Sequence, residues 1–171
     1  MPAQTPYTPI LATLGYVLSA DGENVLLIHR DTRPDDLAYG KYNGLGGKLE
    51  RDENVFDGMR REIREEAGIE ATVMTLRGTI SWPGFGKNGE DWFGFIFVVT
   101  DWTGTGTGTP LTENHEGTLS WVPVSQLVDG DLDLWPGDRY FLPLVFELNK
   151  PPFHGVMPYK DGKPERWQVS C

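Results

Sequence analysis

Three glutamates, Glu62, Glu65 and Glu66, stand close enough in the chain to act together. On a helix that turns about 100° per residue they fall within an arc of roughly 100°. Phe56, Met59, Ile63 and Ala67, spaced i, i+3, i+7, i+11, form an apolar stripe on the same helix. One side of this helix packs, and an adjacent side gathers negative charge. Like charges one turn apart destabilise a helix by about 0.2–0.5 kcal/mol per pair. Two explanations are open at this level. Arg60, Arg61 and Arg64 neutralise an ordinary solvated face, or the carboxylate oxygens gather a hard divalent cation such as Mg²⁺ or Mn²⁺.

The wider spacing separates the two. Gly47 is followed after five residues by Glu53, and after seven more by Arg61 and Glu62. Ile63, Glu65, Glu66, Gly68 and Ile69 complete the pattern. With fixed identities at ordinary usage, a chance match in this chain is on the order of one in a million. The pattern resembles the Nudix box, the motif of hydrolases that cleave nucleoside diphosphates linked to another group. The resemblance implies Mg²⁺ or Mn²⁺ as cofactor. It implies that Glu62, Glu65 and Glu66 carry the metal and the catalysis, one of them taking the proton of the attacking water. Glu53 and Arg61 match the motif positions that orient these glutamates, and Gly46 matches the one whose backbone carbonyl faces the metal. Some relatives place a further metal-binding glutamate five residues before a tryptophan, and Glu116 holds that place before Trp121. His115, beside it, is expected to be a plain loop residue.

The elements that position these residues follow from patterning. Residues 10–18 and 25–28 are predicted strands joined by a turn at 21–24, hence a hairpin. Residues 30–40 are a polar loop, either bordering the site or merely connecting. A short strand and glycine turn follow at 41–47. The helix is predicted from Glu53 or Asn54 to Ala67, with Asp52 as N-cap and Gly68 as its stop. Strands at 71–81 and 92–100 form a second hairpin around a loop at 82–89. Residues 103–109 alternate Thr and Gly and are expected to be a flexible surface loop. A short strand at 117–122 leads into a short helix beginning at 123–127. A second helix runs from Asp138 or Arg139 to Leu148, and residues 153–159 and 165–169 form a terminal hairpin. Strands flanked by two helices give the α/β class, a single α/β/α sandwich on a mixed sheet, which is also the Nudix fold. Residues 1–9, with three prolines, are a flexible lead-in, and 10–171 form one domain.

Composition limits the partners. Formal net charge is −10, which opposes wrapping a nucleic-acid backbone. A small anionic nucleotide can still be held if a metal bridges it to the acidic protein. No apolar run approaches the roughly 18 residues of a membrane span. Cys171 is the sole cysteine, so no disulfide forms within the chain, and a cytoplasmic location is expected. A monomer or a homodimer fits equally.

Outside the box the resemblance narrows to MutT-type Nudix enzymes, which sanitise oxidised purine nucleotides such as 8-oxo-dGTP. It rests on the Asn43–Lys48 turn, on Trp135, Pro136, Gly137 and Asp138, on residues 140–144 and on Phe153, His154 and Gly155. It implies that Asn43 bonds the base, Trp135 stacks on it and Asp138 binds its edge. Trp82 lies near a position that lines the base pocket, and Lys48 is placed to meet a phosphate. Animal members carry two adjacent aspartates where this chain has Gly137 and Asp138, so half of a carboxyl pair is missing. Pro83, fourteen residues after Ile69, keeps ADP-ribose or a dinucleoside polyphosphate as an alternative substrate. A third alternative is a non-catalytic domain that senses a nucleotide, although such domains usually lose box glutamates and this chain keeps them all.

Overall fold

A computed structural model describes residues 5–104 and 110–171. Its strands are β1 (Ile10–Leu18), β2 (Asn24–His29), β3 (Tyr42–Asn43), β4 (Ile69–Trp82), β5 (Trp92–Gly104), β6 (Thr118–Pro123), β7 (Phe153–Val156), β8 (Tyr159–Lys160), β9 (Lys163–Pro164) and β10 (Gln168–Ser170). The helices are α1 (Val55–Ala67), α2 (Val124–Asp129) and α3 (Asp138–Phe146). The main sheet runs β10-β7-β4-β5-β1-β2-β3, with β6 on β2. It is mixed: β1–β5 and β4–β7 are parallel, and the remaining pairs are antiparallel.

Period-two alternation sends neighbouring side chains to opposite faces of this sheet. Tyr16, Leu18, Val25, Leu27, Ile96 and Val98 pack with Phe141, Leu142 and Val145 of α3. Val17, Leu26, Ile28, Phe97 and Val99 pack with Met59, Ile63 and Ala67 of α1. The result is the expected α/β/α sandwich. Two cores lie on opposite sides of the same strands. Among the described residues no helix is long and apolar enough to cross a membrane.

The sheet opens where the glycine turn enters it. β1 and β2 pair only through Val17↔Leu26 and Leu18↔Val25. Beyond that point β3 pairs with Ile28 and His29 of β2, while Leu45 and Lys48 form isolated bridges to Gly15 and Ala12 of β1. The segment from Tyr42 to Lys48 is thus wedged between two parted strands, which holds it rigidly although it has little regular structure.

Several boundaries differ from expectation. The N-cap of α1 is Asn54, whose side chain accepts from the N–H groups of Phe56 and Asp57 at 3.0 and 3.1 Å. Asp52 instead sits in the turn before it with φ 67°, a left-handed conformation that Asp tolerates. α3 ends at Phe146, two residues early, and Leu148 is exposed. The terminal hairpin is split: β7 pairs with β10, and the β8–β9 hairpin forms around Asp161 and Gly162, both left-handed as a tight two-residue turn requires. Of the expected flexible segments, residues 1–4 and 105–109 lie outside the described residues. Thr103 and Gly104 belong to β5, and Tyr7 of the lead-in shares a hydrogen bond with Ser81 Oγ at 2.8 Å.

Candidate active site

The glycine turn and α1 face each other across the wedge. Gly46 adopts φ 148°, and a Cβ there would stand 2.1 Å from the Thr13 carbonyl oxygen, so only glycine fits. Its N–H donates to Glu66 Oε2 at 2.8 Å. Glu62 lies against the next glycine, its carboxylate within 2.8 Å of where a Gly47 Cβ would be. α1 is set at this distance by its packed stripe and by its ends, with Asn54 at one and left-handed Gly68 at the other.

Arg61 organises the acidic face. Its guanidinium donates twice to Glu53, at 2.8 and 3.0 Å, and to Glu62 Oε1 at 2.7 Å. It also reaches Glu65 Oε2 at 3.3 Å and the Lys48 carbonyl at 3.1 Å. Its bonds to Glu53, and after those its contacts with Glu62, hold its proton more tightly than usual, while the Glu53 carboxyl is pushed below its ordinary range by the same bonds. Arg61 therefore ties box positions 53, 62 and 65 to the glycine turn.

The carboxylates are not equivalent. Glu66 is 6% exposed. Burial, and then the facing charge of Glu116, raise its carboxyl well above the usual range. Burial also raises Glu62, which Arg61 partly offsets. Glu65 is exposed and touches only Arg61 among the described ion pairs. Glu116 arrives from the far side, before β6, and its Oε2 accepts from Arg30 Nη1. Arg30 Nη2 donates in turn to Asp36. Burial would raise the Asp36 carboxyl, but its bonds to Arg30 and to the Ala38 N–H leave it lowered. The 30–40 loop is thus fastened to the site. His115 is exposed, with Nε2 3.9 Å from Glu116 Oε1.

Donors here are all oxygens, and two carboxylates face each other in a poorly hydrated place. That chemistry fits a hard divalent cation, which removes the repulsion. Among the described residues no three such side chains already surround one ion-sized point. Glu116 Oε2 is turned to Arg30 and Glu62 Oε1 to Arg61.

A cavity of about 440 Å³ opens from this cluster. Its lining includes Glu66, Glu116, Gly46 and Lys48 and also Asn43, Trp82, Trp135 and Asp138. The fold therefore brings together residues as far apart in sequence as Asn43 and Asp138. Glu53, Arg61, Glu62 and Glu65 do not line the cavity. Thr13 Oγ1, Arg30 Nε and Trp92 Nε1 are buried without a hydrogen-bond partner among the described residues, and all three residues border the cavity. Unsatisfied polar groups are rare in native interiors and mark places that a ligand or solvent completes.

The distal end is aromatic. Phe85 meets Trp135 and Tyr159 edge-to-face, each at 5.0 Å between centroids. Lys41 Nζ lies 5.6 Å from the centre of the Trp135 ring. Trp82 stacks at an angle on Phe85 and Phe141 and belongs half to the α3-side core. Asp138 opens α3. Its surroundings withhold water and push its carboxyl up to about 7, which a backbone bond from Trp135 and the charges of Lys41 and Arg139 only partly oppose. Gly137 has no room for the missing carboxylate: a Cβ there would meet Met157 Sδ at 2.3 Å and Tyr159 Oη at 2.4 Å. The Tyr159 hydroxyl instead accepts the Gly137 N–H at 3.1 Å. Sequence reasoning missed Phe85, Tyr159, Arg30 and Asp36. The available signals were the aromatic in the Trp82–Gly89 loop and an arginine followed by acidic residues at the end of β2.

Comparison with known proteins agrees with this architecture. A family profile described as NUDIX domain matches residues 8–145. The mouse oxidized purine nucleoside triphosphate hydrolase is 34% identical over 122 residues, 71% of this chain and 72% of that protein. The uncharacterized Nudix hydrolase YvcI of Bacillus subtilis (strain 168) is 31% identical over 147 residues, 84% of this chain and 83% of that protein. The structure of a MutT protein from Bacillus halodurans superposes with a TM-score of 0.76 at 24% identity, covering 94% of this chain and 97% of that one.

Proposed function

This chain belongs to the NUDIX domain family and is a Nudix hydrolase, and from that premise we propose that it hydrolyses purine nucleoside triphosphates, oxidised ones such as 8-oxo-dGTP among them, to the monophosphate and pyrophosphate. The observation that carries this reading is the single cavity joining buried Glu66 to Trp135 and Asp138. A nucleotide laid along it has its phosphates beside the carboxylates and Lys48 and its base among the aromatics.

Glu62, Glu65, Glu66, Glu116 and the Gly46 carbonyl would hold Mg²⁺ or Mn²⁺. Such a cation neutralises phosphoryl oxygens and makes water more acidic. The remaining work falls to this chain's own groups. A glutamate of the cluster accepts the proton of the water that attacks phosphorus as the phosphoanhydride bond breaks. Arg61 and Glu53 keep the α1 carboxylates in place against the glycine turn. Lys48, exposed beside Trp92, is free to meet the phosphates. Asn43 offers an amide and Asp138 a carboxyl to the base edge, and Trp135 offers an indole to its face.

The name of the mouse relative supports an oxidised purine as substrate. The filled space at Gly137 argues for a base edge read by one carboxyl rather than two. The test is release of product, with Mg²⁺ present, from 8-oxo-dGTP, dGTP, ADP-ribose and diadenosine tetraphosphate. The highest kcat/KM is expected for 8-oxo-dGTP. A preference for ADP-ribose or the dinucleoside polyphosphate would move the substrate to that class, and inactivity on the whole panel would leave only a nucleotide-sensing domain.

A further inference from the structure

α3 carries Asp138 at its first turn but is poorly built to hold itself in place. It has nine residues, too few for independent stability. Pro143 removes a backbone donor from its interior. Its N-cap, Gly137, supplies no side-chain bond, its C-cap Glu147 is not left-handed, and its last turn contains no basic residue. The carbonyls at that end need donors from elsewhere.

Arg77 supplies them. The β4–β5 register passes from Leu76↔Phe97 to Gly78↔Ile96, so Arg77 is the extra residue of a β-bulge. Leu76 packs with the α1-side core and Ile96 with the α3-side core. A bulge bends its strand and re-aims one side chain, and here that side chain reaches the end of α3. Arg77 is 2% exposed. It donates to the carbonyls of Val145 at 3.0 Å, Lys150 at 2.9 Å, Leu144 at 3.4 Å and Glu147 at 2.7 Å. It forms no ion pair among the described residues, so the helix end itself is its counter-charge. Carbonyls at a helix C-terminus carry partial negative charge and favour a cation there.

Building on the base-site reading above, we propose that Arg77 is a positioning residue for substrate selection: by gripping the last turn of α3 it fixes where Trp135 and Asp138 stand at the far end of the cavity. Arg77 does not line the cavity, and its hydrogen bonds among the described residues all go to backbone carbonyls rather than to the carboxylate cluster. α1 lies on the opposite face of the sheet and is held by its own caps and core. Loosening α3 therefore displaces the base-reading groups while the hydrolytic groups stay in place. A misplacement of about 1 Å can cost on the order of a hundredfold in a site whose groups must be held in place.

Two Arg77 variants and one control test this with steady-state kinetics on a purine nucleoside triphosphate and on a deoxyribose 5′-triphosphate that lacks a base. In Arg77→Lys, which keeps the charge and loses the fork of donors, KM for the nucleotide rises about tenfold. Its kcat, and its kcat/KM on the base-free triphosphate, stay within about twofold of the parent. Arg77→Met shows a larger rise with the same pattern in its folded fraction, measured by circular dichroism at the assay temperature. An Arg77→Lys protein with the parent KM overturns the proposal. So do equal losses on both substrates, which are the mark of a merely structural role. Asp138→Asn separates the two layers. A raised KM in it alone removes the proposal and keeps the base site. An unchanged KM in Asp138→Asn removes the base-site reading, and this proposal with it.

Discussion

The two helices that bracket the sheet are built on opposite plans. α1 is capped by its own Asn54 and Gly68, and its Glu62, Glu65 and Glu66 lie within about one turn of each other, the first two tied by Arg61. α3 is short, contains proline and is held at one end by Tyr159 through Gly137 and at the other by Arg77 from β4. Its partners in the cavity, Asn43, Trp82 and Trp135, come from three separate loops or strand ends. The contrast separates chemistry from choice. On the proposed reading, most groups assigned to breaking the phosphoanhydride sit on one self-capped helix, joined by Gly46 and Glu116 from outside it, while groups assigned to the base sit on parts whose positions depend on distant contacts.

Mutations at the two ends are expected to differ in kind as well as size. Glu66→Gln is the largest effect at the chemical end: kcat falls about a thousandfold or more, measured as product release with saturating Mg²⁺. Its thermal midpoint without metal is unchanged or higher, since burial and Glu116 already disfavour the charged carboxylate that the amide replaces. Full activity in this variant would break the assignment of α1 as the chemical end.

Asp138 gives an effect of intermediate size that depends on pH. With its carboxyl near pH 7, the folded protein keeps a proton that the unfolded chain, at about 3.8, has released. Stability therefore declines as pH rises between about 4 and 7 and levels off above that. The loss is on the order of 2–4 kcal/mol, the cavity's access to water holding it below the full shift. Asp138→Asn flattens this slope in urea titrations run from pH 5 to pH 8. In the parent enzyme, KM for the purine nucleotide rises as pH passes 7 while kcat on a base-free triphosphate does not follow. A KM that ignores this transition would show that the carboxyl does not meet the base.

The smallest effect is at Trp135. Trp135→Ala removes one stacking face worth about 0.5–1.5 kcal/mol, so KM rises by a factor of about 2–10 with kcat retained. Trp121, partly exposed and stacked on Trp102 on the α1 side of the sheet and outside the cavity lining, serves as the contrast, and its alanine variant keeps the parent KM. Equal kinetic losses in the two would mean that Trp135 is only packing.

Much of the fold was legible because its signals are local. The β-rich run of residues 10–18 is β1 as observed. Of the apolar stripe, Met59, Ile63 and Ala67 are the buried face of α1, while Phe56 stays exposed with its ring edge-to-face on Phe97. Cap choice was less legible. Asp52 and Asn54 have similar propensities, and only the backbone shows that Asp52 is spent in a left-handed turn. At the site, the glutamates could be named in advance, but their unequal surroundings could not. The burial of Glu66, the exposure of Glu65 and the grip of Arg30 on Glu116 across 86 positions arise from packing. Phe85 and Tyr159 were missed for the same reason. An aromatic in a loop or at the start of a short hairpin has no periodicity to betray it.

By itself, then, the sequence determined the family motif, the class of hydrolysis it implies, the kind of cation it suits and the order of strands and helices. All of these rest on residues within a turn or a strand of one another, where chain geometry alone sets distance. Only the tertiary structure decided that Glu116 faces Glu66, that one cavity links those carboxylates to Trp135 and Asp138, and that the space beside Gly137 is already filled. Such contacts join segments far apart in the chain, and their distances follow from how two cores close on the two faces of one sheet.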